Sequence, residues 1–448
     1  MTPSSTLATP QQRMIPAAVL AVALACFAVS LWAMFPGWMT TDSLSQYLDA
    51  KTGVYRDQTP VLMSWLWNKL LPLSDGPLPM LVLDLLGYWG GFALLALGAR
   101  DRIGWWACLI PLVGLWPGVL EQVGFVWKDI VFGTLMFCAW AALIRRRLRR
   151  ESPRLGDDIL VIVACVVGFG VKPNGIAVVP FLVAYWFVLH GWLQSRWWLR
   201  AAAVVAITAM TVPAGNLLLT GSTVRSSGNM LAQYTAIYDL LGLGVRTESV
   251  LLPDYILAQR GCTLEQLRPF YYSGGMNGFF FDKKGGSLAT LDLQQQQELG
   301  AKWLAAVTRL PGVYLRHRWD NLASMLRLGY LTPAWVGTPG IGDNKYGLTF
   351  TPNVLSDLLG ATLTASPWMF IPWLYAALHL AAYALVMLRG SERLLATMLT
   401  LASGAFFAPH LFVLPAGDYR YLYFCYLCAL AMAVVAVVDL GRRRNPAG

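Results

Sequence analysis

Several charged residues in this chain sit beside apolar runs, where solubility does not explain them. Asp42 follows Gly37 to Thr41, Lys128 and Asp129 adjoin between Trp127 and Ile130, and Lys172 precedes Pro173 and Asn174. Asp418 and Arg420 flank Tyr419, just before Tyr421. A carboxylate at a helix mouth can take up a proton, and lysine and arginine can hold a phosphate, arginine in bidentate fashion. Each group also has a plainer role. Asp42 suits the N-cap of a helix near Leu44 to Leu48. Lys128 and Asp129 could neutralise each other, although adjacent side chains do not face one another on a helix. Lys172 could snorkel to an interface. Tyr419, Tyr421 and Tyr423 fit an interfacial aromatic belt, with Arg420 as an anchor.

The elements that position these groups follow from composition. The 448 residues are 56% hydrophobic and only 13% charged, with a mean hydropathy of +0.52. A soluble chain of this length would hold about 110 charged residues, against 34 Lys plus Arg and 24 Asp plus Glu here. Disorder needs low hydrophobicity and is excluded. Seven cysteines are too sparse for a disulfide scaffold. The net charge of +10 would point to nucleic acid in a soluble protein. Here the arginines cluster beside apolar runs, as at Arg145, Arg146, Arg147, Arg149 and Arg150, which fits membrane topology and no nucleic-acid partner.

A spanning helix needs about 20 mostly apolar residues. Such runs occur at 14–35, 77–98, 103–120, 126–144, 201–219, 367–388, 394–414 and 421–440, with shorter ones at 159–171 and 175–189. The first is too long, and lacks the cleavage site, for a signal peptide, and reads as a retained anchor. The two short runs could be one broken helix pair meeting at Lys172 to Gly175. The expected fold is therefore an all-α polytopic membrane protein of about ten transmembrane helices. With the N-terminus inside, every short basic cluster (Arg100/Arg102, Arg145 to Arg154, Arg196/Arg200, Arg389/Arg393, Arg442 to Arg444) falls on the cytoplasmic side. Both termini are then cytoplasmic, and segments 36–76, 121–129 and 220–366 lie outside. The chain divides into a transmembrane module at 1–219 with catalytic outer loops, a periplasmic or interfacial helical subdomain at 220–366, and closing transmembrane helices at 367–448. In the outer segment, Gly274-Gly275 and Gly285-Gly286 read as turns, and the run 230–241 reads as a helix resting on the membrane face.

The four histidines (His190, His317, His379, His410) are scattered and make no metal pattern, and no phosphate loop of the Walker type is present. Cys425 and Cys428 have redox spacing but lie in an apolar run, where buried packing accounts for them. Cys262 is the single exterior cysteine in this topology.

An acid after the first span, an amphipathic outer helix, a second acid on the next outer loop and a large outer segment together resemble the GT-C superfamily of integral-membrane glycosyltransferases, which includes protein O-mannosyltransferases and the lipid A aminoarabinose transferase. Thr41-Asp42 matches the first-loop acid, Lys128-Asp129 the second, and Asp418 to Tyr421 the Arg-Tyr element before a late span. Asp57 to Leu62 looks like a segment that often reads His-Pro-Pro-Leu in relatives. Thr59 stands at the histidine, so that residue's role does not carry over. The resemblance implies a polyprenyl-phosphate sugar donor, a glycan, lipid or protein acceptor, transfer on the periplasmic face, and a bacterial inner membrane.

On that footing Asp42 is the expected general base for the acceptor hydroxyl, a role that contributes about 10²–10⁴-fold. Lys128, Lys172 and Arg420 would stabilise the leaving phosphate. Asp129 would orient a lysine or hold a sugar hydroxyl, and Asp57, Asn174, Asp418 and Tyr421 would bind substrate. A single base without a carboxylate nucleophile predicts inversion. No cofactor is required. A divalent cation could bridge Asp42 and Asp129, though too few acids converge to demand one. Two other readings stay open. An O-antigen-type polymerase or ligase acting on lipid-diphosphate glycans would use paired outer arginines, as in Arg316-His317-Arg318. A transporter or flippase would place ionisable groups at the midplane within two related halves.

Overall fold

The structure is a computed structural model and describes residues 10–192, 196–226, 230–260, 263–275, 291–330, 332–414 and 416–444. Cys262 and the pair Gly285-Gly286 lie outside the described residues. The first long helix, α1 (Pro10–Met34), is followed by a short amphipathic helix α2 (Thr41–Thr52), the three-residue strand β1 (Val54–Arg56) and α3 (Val61–Leu70). Next comes α4 (Leu78–Ile103).

The single helix expected over 103–120 does not form. Pro111 and Pro117 lack amide donors, and Gly104 turns the chain at a φ of +59°. The stretch runs back along α4 as a 3-10 segment Gly104–Leu109, one turn α5 (Ile110–Val113) and α6 (Pro117–Val123). The Tyr88 hydroxyl donates to the Gly114 carbonyl at 2.6 Å and fixes this return path against the middle of α4.

Then follow α7 (Lys128–Arg149), α8 (Leu155–Val171), a 3-10 turn Pro173–Ala177, α9 (Val179–His190) and α10 (Trp197–Leu218). The runs 159–171 and 175–189 are thus two helices joined at the predicted break. Glycines bring α4 and α7 close, as small residues do between membrane helices. A Cβ on Gly91 would lie 2.4 Å from the Phe137 ring, and one on Gly98 would lie 2.7 Å from the Arg145 Cα.

Strand β2 (Thr223–Arg225) pairs in parallel with β1, Tyr55 opposite Val224. The outer segment continues with α11 (Met230–Thr247), α12 (Asp254–Arg260), α13 (Leu264–Leu267), α14 (Leu293–Arg309), α15 (Pro311–Leu326) and α16 (Val354–Ala365). It has its own small core around Ile237, Leu240, Leu243, Ile256 and Leu299. The helices α17 (Pro372–Arg389), α18 (Arg393–Phe407) and α19 (Tyr423–Arg444) close the chain. Cys425 and Cys428 are free thiols on α19, packed among apolar side chains.

Among the described residues, six stretches are long and apolar enough to cross a bilayer: Met14–Met34, Leu78–Val113, Pro173–His190, Trp197–Leu218, Arg393–Leu411 and Tyr419–Gly441. The bundle separates its charges by end. At one end Glu392 accepts from Arg102 and Arg147, both at 2.6 Å, Arg145 meets Asp157 at 2.7 Å, and His190 meets Asp158 at 2.8 Å. Arg102 and Arg147, from two of the basic clusters assigned to one face by sequence, therefore share one carboxylate. The candidate site lies at the opposite end, separated by the 22 residues of α7, which rise about 33 Å.

Candidate functional site

Helix α2 begins with Thr40 in the N-cap position, in extended conformation. This corrects the N-cap expectation for Asp42, which is a first-turn residue of α2 and is free for another partner. Its carboxylate Oδ2 accepts from Arg420 Nη2 at 2.7 Å, and the Asp42 side chain keeps 55% of its exposure.

Arg420 belongs to a 3-10 turn, Tyr419–Leu422, that leads into α19. Its neighbour Tyr419 anchors the turn. The Tyr419 hydroxyl donates to the Gly118 carbonyl at 2.9 Å, its amide donates to the Trp335 carbonyl at 3.1 Å, and its own carbonyl accepts from Tyr426 at 2.9 Å. The tyrosine is thereby held in the bundle, not at a lipid interface. Arg420 is buried and stacks over Trp127 at 4.5 Å, with Trp335 and Tyr421 each at 5.5 Å. Stacking and charge pairing together fix a guanidinium well. Asp418 is the second acid, 3.2 Å from the same Nη2. Burial pushes the Asp418 carboxyl above its ordinary range, while Arg420 opposes the shift.

Lys172 ends α8 in extended conformation, because Pro173 cannot continue the helix. The following turn is tightly seated: a Cβ on Gly175 would fall 2.2 Å from Phe132. This directs Lys172 inward, to a buried ion pair with Asp129, instead of the snorkelling alternative. The second Asp129 oxygen has no hydrogen-bond partner among the described residues. The Lys172 ammonium also lies 5.5 Å over Phe406 and 5.7 Å over Tyr421. One tyrosine ring thus stands between Lys172 and Arg420.

Lys128, the first residue of α7, makes no hydrogen bond or ion pair with any described residue. It lies within electrostatic reach of Asp129, Lys172, Arg420 and Asp42. Asp42, Asp129 and Asp418 therefore face Lys128, Lys172 and Arg420 around the start of a long helix, whose N-terminus adds positive potential.

A cavity of about 1200 Å³ opens over this cluster. Asp42, Asp418, Arg420 and Tyr421 line it, together with Gln58, Thr59 and, from the outer segment, Tyr272, Arg327 and Trp335. Backbone bonds close the wall: Met39 donates to Gly340 at 2.8 Å, Gly342 to Met39 at 3.0 Å, and Gly417 to Gly274 at 2.6 Å. Lys128, Asp129 and Lys172 do not line it; Asp129 and Lys172 are buried and Lys128 is half-buried. Asp57 and Asn174 do not line it either, whereas Gln58 and Thr59, next to Asp57, do.

Among the described residues, no three His, Cys, Asp or Glu side chains come together to hold a metal ion. Asp42 and Asp129 are each engaged by a cation. The arginine pair around His317 is occupied within the outer segment. Arg318 donates to Asp239 at 2.6 Å, and Arg316 meets Asp320 at 3.2 Å. His317 is fully buried, 3.1 Å from Asp239 and 3.0 Å from the Tyr271 hydroxyl.

Trp127, Trp335, Gln58 and Arg327 belong to the site without any charge pattern or motif in the sequence that marks them for it. Nothing in the sequence separates Trp335 from the other 18 tryptophans. Asp84 is a further buried acid, on α4, and accepts from Thr134 at 3.4 Å. No family model, curated protein or solved structure matches this chain.

Proposed function

We propose that the chain is an integral-membrane glycosyltransferase of the GT-C type. It moves a sugar from a polyprenyl-phosphate donor to a glycan, lipid or protein acceptor on the periplasmic side of a bacterial inner membrane. In this reading the chain crosses the bilayer ten times, with both termini cytoplasmic and 220–366 as a periplasmic subdomain. The broken stretch after α4 is then the third crossing.

The observation that carries the reading is the Asp42–Arg420 pair at the cavity wall. A potential base and a phosphate-binding cation stand 2.7 Å apart, with Lys172 and the unpaired Lys128 close behind. In the reaction the bond between the anomeric carbon and the phosphate oxygen breaks as the acceptor oxygen attacks from the opposite face. The acceptor proton passes to Asp42, and the electron pair stays on the departing polyprenyl phosphate. Arg420, Lys128 and Lys172 meet that charge as fixed cations already in place before the bond breaks. The route inverts the anomeric carbon and calls on no cofactor. Asp129 positions Lys172, and Asp418 limits the net charge at Arg420. Arg316 and Arg318, the pair that a polymerase or ligase would use, meet Asp320 and Asp239 and do not line this cavity.

The test is a transfer assay with purified protein and radiolabelled polyprenyl-phosphate sugar. Arg420→Ala should raise the donor concentration for half-saturation by tenfold or more, from the loss of a charge-assisted contact of about 1.5–3 kcal/mol. Unchanged donor saturation would remove Arg420 from the phosphate site.

A further inference from the structure

We infer that Trp335 is the platform on which the donor's sugar ring rests, an assignment that deepens the transferase reading and depends on it. Trp335 lines the cavity with 49% of its surface exposed, although the residues beside it, Val336 and the turn carrying Tyr419, are buried. It is nevertheless held in place. Its carbonyl accepts from the Tyr419 amide at 3.1 Å, and its ring lies 5.6 Å from Trp127, which is itself stacked on Phe125 at 4.2 Å. A large aromatic surface kept rigid and open to water is costly, at roughly 25 cal/mol per Å² of apolar area. A ligand with an apolar face that covers it recovers that cost.

The ring also touches the phosphate site. Arg420 lies 5.5 Å from the Trp335 centroid. In a glycosyl phosphate the sugar ring is one oxygen away from phosphorus, so a phosphate on Arg420 places the sugar in the neighbouring position. A pyranose or furanose presents C–H bonds on one face, which suit an aromatic plane, and hydroxyls at its edge. The indole Nε1 makes no hydrogen bond to any described residue and is free to donate to such a hydroxyl. Ser45, Gln58, Thr59 and Thr338 add polar lining for the others.

If the contact matches a pair of aromatic rings in strength, the expected advantage is roughly twofold to twelvefold in affinity. The experiment compares binding of bare polyprenyl phosphate with binding of the same lipid carrying glucose, galactose, mannose or arabinose, on the full-length protein in detergent. In the native protein at least one sugar-bearing lipid should bind more tightly than bare lipid phosphate. Trp335→Ala should remove that advantage, so that bare lipid phosphate and its sugar-bearing forms bind alike, and the binding of the bare lipid shows that the variant is folded. Trp335→Phe should keep part of it. An advantage that survives in Trp335→Ala overturns the assignment, as does the absence of any advantage in the native protein. If bare lipid phosphate fails to bind the native protein, the donor reading itself falls. If it binds and only the sugar dependence is missing, the platform alone falls.

Discussion

Asp42 and Arg420 hold each other in the structure, so neither is free for the role assigned to it. A donor phosphate that takes Arg420 would release Asp42 as a base, which ties base activation to donor binding. Asp42→Asn should therefore bind bare polyprenyl phosphate more tightly than the native protein, because the competing carboxylate is gone. Weaker binding would mean that Asp42 orients Arg420 instead of competing for it. A second residue-scale prediction concerns His317. Burial holds its imidazole below the ordinary value of 6.5, with Asp239 opposing the shift. The folded state then binds fewer protons than the unfolded one, so stability is lost as pH falls below about 6.5. Thermal melts between pH 8 and pH 5 should show this fall, and His317→Asn should flatten it. At this scale the sequence was informative about charge. Asp42, Lys172, Asp418 and Arg420 stood out because ionisable groups are rare in apolar context. Partners were not legible, since the Asp42–Arg420 pair joins positions 378 residues apart. The aromatic wall was hidden for another reason: membrane-interface and ligand-facing tryptophans have the same local sequence signature.

Helix lengths and the break at Lys172 followed from hydropathy and from Pro173. The failure at 103–120 has an equally local cause. Its apolar content suggested one span, but two prolines and the glycines at 104 and 114 divide it, and contact with α4 replaces the lost continuity. The close approach of α4 and α7 sets where Lys128 and Asp129 stand relative to the first outer loop. Gly98→Leu places a side chain against the Arg145 backbone. Overpacking of this kind costs about 1–3 kcal/mol, so the variant should unfold at a lower temperature in detergent. An unchanged melting temperature would show that the helices separate without cost. Helix α2 illustrates a smaller shift of register, where Thr40 takes the cap and leaves Asp42 in the first turn.

On the scale of the whole molecule, Glu392 joins Arg102 and Arg147, from two of the arginine clusters that the positive-inside bias assigns to one face, at the end opposite the cavity. The proposed topology places Asp57, exposed near the cavity mouth, outside, and Arg150 inside. In a background with the native cysteines replaced, Asp57→Cys should react with an impermeant maleimide on intact cells, and Arg150→Cys only after lysis. The reverse pattern would invert the molecule. The central claim is that Asp42 takes the acceptor proton. Its most direct test is single-turnover release of polyprenyl phosphate from a saturating radiolabelled donor in the presence of acceptor. We predict that Asp42→Asn slows release by about 10²–10⁴-fold while still binding the donor. Release by Asp42→Asn within a factor of two of the native rate would contradict it.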